Sequence, residues 1–316
     1  MSSASPETAI WDALRGVIVT RAVAIVADLR VADALGDSER RVDDVACEVG
    51  ADAETLYRLL RALAGDGIFA ERASRVFANT PSSDVLRNDG WRDFAHLFGG
   101  VWLPAIGALD ASGRPTFEDL QGTGFWAWLA AHPSERAAFD RAMEQGWEDR
   151  LARLQSVSWR DDETVVDVGG GNGSLLLALL DRRPGLRGIV FDLPETVRDE
   201  SAFGDRCVFV AGSFFESVPA GDAYVLSTIL RDWDDASASR ILRTVHAAAS
   251  PGGRLVLLEA TIEPGNAPDG TKWLDLLMLA LFAGRERDEA QWRGLLWDSG
   301  FEIERLEDGV IEARCR

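Results

Sequence analysis

Gly169, Gly170, Gly171 and Gly173 put four glycines into five positions, after Val165-Val166-Asp167-Val168 and before Ser174-Leu175-Leu176. Glycine has no Cβ and takes φ > 0 freely, so such a loop turns tightly and lets a ligand approach its backbone. A helix starting behind it would present free N–H groups to a negatively charged group. A simple surface turn seldom needs so many glycines. Asp192, in Gly188-Ile189-Val190-Phe191-Asp192-Leu193-Pro194, ends the next strand-like run about 20 residues on, where a carboxylate can accept both hydroxyls of a ribose. The spacing is G-x-G-x-G and lacks the third glycine of the dinucleotide pattern G-x-G-x-x-G. NAD is therefore disfavoured, and another adenosyl compound with a ribose and a charged group is expected.

These residues need a strand, a loop and a helix to hold them. Thr164–Val168 alternates β-branched residues around one acid, as a buried strand does, and Leu175–Leu180 is an apolar run that stops at Asp181-Arg182-Arg183-Pro184. Further apolar runs at Gly188–Leu193, Val208–Ala211, Ala223–Leu230 and Arg254–Ala260 are separated by helical segments, which predicts a parallel, doubly wound α/β sheet over residues 156–316. Phe301–Leu306 and Val310–Arg314 read as a final strand pair. Glu263–Gly270 is loop chemistry at the carboxyl end of a strand, where ligands bind in such sheets.

Residues 1–90 read as helices followed by a small hairpin. Ile18, Val23, Val26 and Leu29 are apolar at near-helical spacing and predict an early amphipathic helix. Val42–Ala46 starts a short helix, and Asp52–Tyr57 starts another that runs to Leu63 and stops near Gly65-Asp66-Gly67. Ile68–Ala70 and Val76–Ala78 look like the strands of a wing, so the module has the shape of a winged helix. Residues 91–155 form a connector rich in aromatics, among them Trp91, Phe94, Phe98, Trp102, Phe117, Phe125, Trp126, Trp128, Phe139 and Trp147. Most are expected in the core, and some could line a flat, apolar pocket. His132, before Pro133, is expected to cap a turn in solvent. His96 is expected as a satisfied core histidine, with a reach to substrate as the other reading.

Composition narrows the function. The 316 residues carry a net charge of −19 with a pI near 4.6, a balance that repels phosphate backbones and disfavours nucleic acid as a partner, despite the winged-helix shape. No apolar run reaches a membrane span, and Met1–Glu7 lacks a basic and apolar leader. Cys47, Cys207 and Cys315 are odd in number and far apart, which points to a reducing cytoplasm and not to a metal site. The histidines His96, His132 and His246 are equally scattered.

Five ordered stretches, VVDVGGGNGSL, FDLPETV, GSFFESVPAGDAYVLSTILRDWDD, PGGRLVLLEATIEP and GRERDEAQW, resemble the S-adenosylmethionine-dependent O-methyltransferases of natural-product pathways in plants and actinomycetes. The resemblance covers nearly the whole chain. It implies a class I methyltransferase sheet, Rossmann-like and closed by an antiparallel hairpin, with an N-terminal domain whose apolar faces pack on a second subunit in a homodimer. It implies S-adenosylmethionine as cofactor and a small aromatic acceptor. Asp167, Gly169, Gly171, Gly173, Asp192, Leu193, Ser213, Phe214, Ser227 and Trp233 would then contact the donor. Phe139, Met143, Asp232, Met278 and Phe282 would line the acceptor pocket. Phe214 and Trp233 would flank the adenine, and Asp167 would fix the glycine loop or the donor's ammonium group.

The sequence also departs from that family. Its base is the histidine opening H-D-W-x-D, and here the motif reads Arg231-Asp232-Trp233-Asp234-Asp235. An arginine stays protonated and cannot serve as a base. Arg231 could be the counter-ion of an acceptor that binds already ionised, or the nucleophile could be a ring nitrogen that needs no base. The donor could also serve a hydroxylation or cyclisation without methyl transfer, or Arg231 could be a surface residue at a strand end. Glu259 and Glu286 match the two acids that flank the family's base, and either could pair with Arg231. Glu286, between Arg285 and Arg287, could instead form an exposed ion pair of little weight. Ser213 stands where the family commonly has an adenine-binding Asp, and Ser227 where plant members commonly have Lys. The phenazine N-methyltransferases look similar in both respects and also lack the histidine, which keeps nitrogen methylation open.

Overall fold

A computed structural model describes residues 5–194, 196 and 206–316. Met1–Ala4 of the N-terminal segment, and Glu195 and Val197 of the Phe191–Val197 motif, lie outside the described residues. The chain divides into two compact units. One holds the residues up to Ala108 with Trp126–Gln145, the other Leu109–Phe125 with Gly146–Arg316, so the connector 91–155 is shared between them.

In the first unit, helices Pro6–Asp28, Val31–Leu35, Val42–Val49 and Ala53–Gly65 pack on a small sheet of β1 (Arg40–Arg41), β2 (Phe69–Ala73) and β3 (Val76–Asn79), in the order β1-β3-β2. Asp52 caps the fourth helix by accepting from the Thr55 amide at 2.8 Å, as its type and position require. Val26, Val31, Val45, Leu56, Leu60, Leu63, Phe69 and Phe77 form the core. The first helix departs from expectation. Its buried positions, Ala22, Ala24, Val26 and Ala27, all lie in its C-terminal half. Ile18 instead joins Ile10, Trp11, Leu14 and Val17 in a stripe whose members are each more than half exposed. The N-terminal half of this helix reaches past the core that covers the rest, so an inward-facing period cannot continue along it.

Of the two histidines of this unit, His96 is corrected too. His96 is partly exposed, with Nδ1 2.8 Å from Asp28 and Nε2 3.2 Å from Glu135, and so is neither a core histidine nor committed to substrate. Desolvation pulls its pKa down, but Asp28 and Glu135 more than offset this and leave it raised. His132 is exposed, as expected, stacks on Trp128 at 4.0 Å, and places Nδ1 2.7 Å from Trp128 O in the turn before helix Pro133–Met143.

The second unit is a seven-stranded sheet: β4 (Thr164–Val168), β5 (Arg187–Asp192), β6 (Cys207–Ala211), β7 (Gly221–Ser227), β8 (Ala249–Leu258), β9 (Phe301–Glu307) and β10 (Val310–Cys315). Their order is β6-β5-β4-β7-β8-β10-β9, parallel except for β10, which runs antiparallel to both β8 and β9. Strand alternation divides the core between two faces. Val166, Val168, Tyr224, Leu226, Leu255 and Leu257 face helices Asp235–Ala248 and Glu289–Asp298. Val165, Val190, Ala223, Val225, Val256 and Leu258 face helices Trp147–Ser156 and Ser174–Arg182. The order reverses at β4, so a crevice opens at the carboxyl ends of β4, β5 and β7, the switch point at which such sheets take ligands. The run expected to be a strand to Leu230 ends at Ser227, because Thr228 turns the chain with φ 56°. A 3-10 turn, Leu230–Asp232, follows. Among the described residues no helix is long and apolar enough to cross a membrane.

Candidate active site

The glycine loop leaves the end of β4. Gly169, Gly171 and Gly173 have φ of 74°, 60° and 78°, a region that disfavours any residue with a Cβ. A Cβ on Gly169 would lie 2.5 Å from Ile229, and one on Gly173 2.9 Å from Phe209 and Val190. On Gly171 it would meet nothing within 4 Å, so that backbone is open on one side. Asp192, at the end of β5, is fixed by two amides: Oδ2 accepts from Gly171 N–H at 2.8 Å and Oδ1 from Leu193 N–H at 2.7 Å. Below the loop, Asp167 is buried on β4, and its carboxyl is pushed up to about 7, first by desolvation and then by the charge of Asp192.

On the far side of the crevice Ser213 Oγ accepts from the Phe215 amide at 3.3 Å. Phe214 meets Phe215 edge-on at 5.0 Å and Trp233 at 5.9 Å. Ser227 closes β7 and is partly exposed. These residues fit an adenosyl donor by their chemistry. A cradle that only glycine backbone leaves open, a rigidly held carboxylate for a diol, and aromatic faces for a flat base stand around one crevice.

The second cluster gathers at the ends of β7 and β8. Arg231 pairs through Nη2 with Glu286, and its Nε lies 3.4 Å from Met278 Sδ. Glu286 is buried, which corrects the alternative of an exposed ion pair. Its arginine neighbours turn away to Asp235: Arg285 pairs with it at 3.0 Å and Arg287 at 2.9 Å. Burial raises the Glu286 carboxyl, Arg231 lowers it, and Asp275, whose Oδ1 accepts from the Glu286 amide at 2.8 Å, adds to the rise. Glu259 does not pair with Arg231 as closely. Its Oε1 accepts from the Ile229 and Leu230 amides at 2.9 and 2.8 Å, and its carboxyl is raised to about 7, chiefly by burial. Arg231 is therefore not a surface residue.

Phe282 meets Phe125 edge-on at 4.7 Å, and Phe125 meets Phe117 at 5.1 Å, so an aromatic group lies beside helix Thr271–Phe282, which also carries Met278. Phe139 and Met143 belong to the first unit: Phe139 is buried against Trp102 and Trp126, and Met143 is exposed.

Several positions escaped the sequence reading. Gly284 lies where any Cβ would collide with Arg231 O and the Asp232 backbone, so the loop carrying Glu286 can press on the Arg231 turn. Arg287, fully buried, donates to Leu230 O and Trp233 O at 2.9 Å each and pins that turn. Thr228 and Ala283, at φ 56° and 58°, flank the cluster in a conformation costing about 1 kcal/mol or more each. A lone glycine and the second arginine of a charged run carry no periodic signal that could have marked them.

Comparison with known proteins agrees with this layout. Residues 106–302 match the O-methyltransferase domain and residues 11–89 the O-methyltransferase dimerisation domain. A phenazine O-methyltransferase of Lysobacter antibioticus is 35% identical over 95% of this chain and 94% of its own length. The phenazine-1-carboxylate N-methyltransferase of Pseudomonas aeruginosa is 33% identical over 93% and 92%. The crystal structure of NcsB1, an O-methyltransferase from neocarzinostatin biosynthesis in complex with S-adenosylmethionine and a naphthoic acid, superimposes with a TM-score of 0.83 at 32% identity, over 94% of this chain and 96% of that one. With a matching domain over more than half its length and relatives aligned nearly end to end, the chain belongs to the O-methyltransferase family.

Proposed function

We propose that this protein is a homodimeric S-adenosylmethionine-dependent methyltransferase acting on an oxygen or nitrogen of a small aromatic natural product. The observation that carries the reading is the Asp192 carboxylate, held by the Gly171 and Leu193 amides over a loop that only glycine can form. The relatives support the chemistry, since their names describe both O- and N-methylation of aromatic compounds. The exposed apolar stripe, which from Trp11 to Ile18 falls inside the region matching a dimerisation domain, supports the homodimer.

Bound S-adenosylmethionine would supply a methyl group made electrophilic by its sulfonium. Asp192 accepts from the ribose hydroxyls, and the backbone of Gly169, Gly171 and Gly173 faces the donor's amino-acid end, with Asp167 beneath it. The Leu193, Ser213 and Ser227 side of the crevice, with Phe214 and Trp233, borders the nucleoside. Met278 and Phe282 offer apolar surface to the acceptor ring. Holding the acceptor in line, about 3 Å from the methyl carbon, removes much of the entropic barrier. Arg231, engaged with Glu286 and Met278, holds the floor of the site and does not act as a base.

Calorimetry with S-adenosylmethionine, S-adenosylhomocysteine and NAD tests the donor, with binding of the first two and not the third expected. Incubation with methyl-labelled donor and a panel of phenols, naphthoates and phenazines tests transfer. Label in a product is the expected result. Donor binding with product hydroxylated or cyclised, and no label in it, would replace methyl transfer by the other donor-dependent reaction.

A further inference from the structure

His96 has a carboxylate against each ring nitrogen. Nδ1 lies 2.8 Å from Asp28 Oδ1, and Nε2 lies 3.2 Å from Glu135 Oε2. The three residues come from three helices. Asp28 ends helix Pro6–Asp28, His96 lies in the last turn of helix Asp89–Gly99, and Glu135 lies in the first turn of helix Pro133–Met143. A neutral imidazole has one N–H and one bare lone pair, so it can donate to one of these carboxylates and must turn a lone pair on the other. Only the imidazolium donates to both. The helix ends favour that form as well. Asp28 stands at a helix C-terminus, where the backbone dipole disfavours an anion, and His96 at another, where it favours a cation. Among the described residues, neither Asp28 nor Glu135 has another side-chain partner.

We propose that His96 is a proton-operated clasp: as the imidazolium it fastens the N-terminal turn of helix Pro133–Met143 to helix Asp89–Gly99, and on losing its proton it keeps Asp28 and lets Glu135 go. The longer of the two contacts is the one released. The other end of helix Pro133–Met143 is fastened without a proton that titrates near neutrality. Arg141 pairs with Asp93, and a Cβ on Gly90 would lie 2.7 Å from Arg141 O, so the backbones there are in close approach. Helix Pro6–Asp28 is likewise held apart from the clasp. Arg21 donates to Gly99 O at 2.9 Å, and a Cβ on Gly99 would lie 2.8 Å from Thr20 O. One end of one helix is therefore free to respond, and it is the helix whose Phe139 meets Trp102 and Trp126.

No other charge takes the place of these two carboxylates. On the helix of His96 itself, Arg92 is turned to Asp33 and Asp89, and Asp93 to Arg141. On helix Pro133–Met143, Arg136 reaches Asp140. Arg87, in the turn before helix Asp89–Gly99, pairs with Asp37 and Asp84, and helix Trp102–Gly107 carries no charged residue. Desolvation lowers the His96 pKa, and Asp28 with Glu135 outweighs it, so the net shift is upward. A group raised in the fold contributes stability that is complete below its unfolded value, about 6.5 for histidine, and is lost as pH rises through the folded value. The clasp is thus closed on the acid side and open on the alkaline side. This holds whichever reaction the protein performs.

The test uses the whole protein, which has three histidines to assign. The imidazole resonance lost in His96→Gln is expected to titrate above about 6.5 in the wild type, and a midpoint at or below that value overturns the proposal. Amide hydrogen exchange, corrected for its intrinsic pH dependence, is read on peptides covering residues 133–138 and 139–145. In the wild type, protection of the first peptide is expected to fall by about two- to fivefold as pH rises through the His96 midpoint, the worth of a half-exposed charge pair. The second peptide should change less. His96→Gln should show the lower protection at every pH, and His96→Arg, which stays charged, the higher protection with no step. A step that persists in His96→Gln, or one that is equal in both peptides, overturns the proposal. Glu135→Gln gives an independent reading: it should lower the His96 midpoint and remove the step, and an unchanged midpoint overturns the proposal.

Discussion

Asp192 and Gly171 are joined by a hydrogen bond of 2.8 Å from the glycine amide to the carboxylate, across the gap between β5 and the loop after β4. One bond thus sets both the loop's curvature and the acid's direction. Asp192→Ala is expected to weaken S-adenosylmethionine binding by roughly 10–100-fold, the worth of about 1.5–3 kcal/mol for hydrogen bonds to a charged group. Titration calorimetry measures this. An unchanged affinity would remove Asp192 from the donor site.

The glycines should differ in a graded way. Gly173→Ala adds a Cβ 2.9 Å from Phe209 and Val190 at φ 78°, whereas Gly171→Ala meets nothing within 4 Å and suffers only its backbone angle. Losses of about 2–4 kcal/mol and about 1 kcal/mol are expected. Denaturant unfolding measures the order, and equal losses would contradict the packing described.

Arg231 and Glu286 form a buried pair, so removing one partner leaves the other uncompensated. Arg231→Met is expected to cost about 3–5 kcal/mol, and Arg231→Met with Glu286→Gln much less. A double-mutant cycle in urea gives the coupling. Additive losses would mean that the two side chains act independently.

Stability should also depend on pH in a defined window. Asp167 and Glu259 both have carboxyls raised to about 7 in the folded chain, so the folded state holds their protons more tightly than the unfolded state. The stability this contributes is complete below about pH 4 and is lost as pH rises through about 7. In ligand-free protein, Asp167→Asn is expected to gain on wild type across that window, by a few kcal/mol at most. Unfolding curves at several pH values test this, and a constant difference between the two proteins would refute it.

The outward stripe on the first helix makes a separate claim. Leu14→Glu with Ile18→Glu should halve the mass seen by light scattering, since two charges would enter an apolar contact between subunits. A variant that keeps the wild-type mass would move the dimer contact elsewhere.

Much of this was legible in the sequence. The switch from period-two to helical patterning located β4, β5 and the hairpin of β9 and β10, because buried strands and helices leave different apolar spacings. The glycine cluster and Asp192 were legible because few other structures require them together. Ile18 was misread because a periodic face tells which residues are apolar and not whether solvent or protein lies against them. Arg231 was recognised as a departure, yet its choice of Glu286 over Glu259 depends on where Gly284 lets a distant loop settle. His96 was misjudged because Asp28 and Glu135 come from opposite ends of the first unit's sequence.

The outermost strand on one side of the large sheet is β9, and it carries Glu302, Glu304 and Glu307 at exposed positions around Arg305. A strand from another molecule laid along this rim would meet a row of charged side chains, Glu302 with the Arg314–Glu304 and Arg305–Glu307 pairs, and would have to strip them of water. The sheet therefore terminates itself, and crowding should not readily turn this rim into a seed for aggregation.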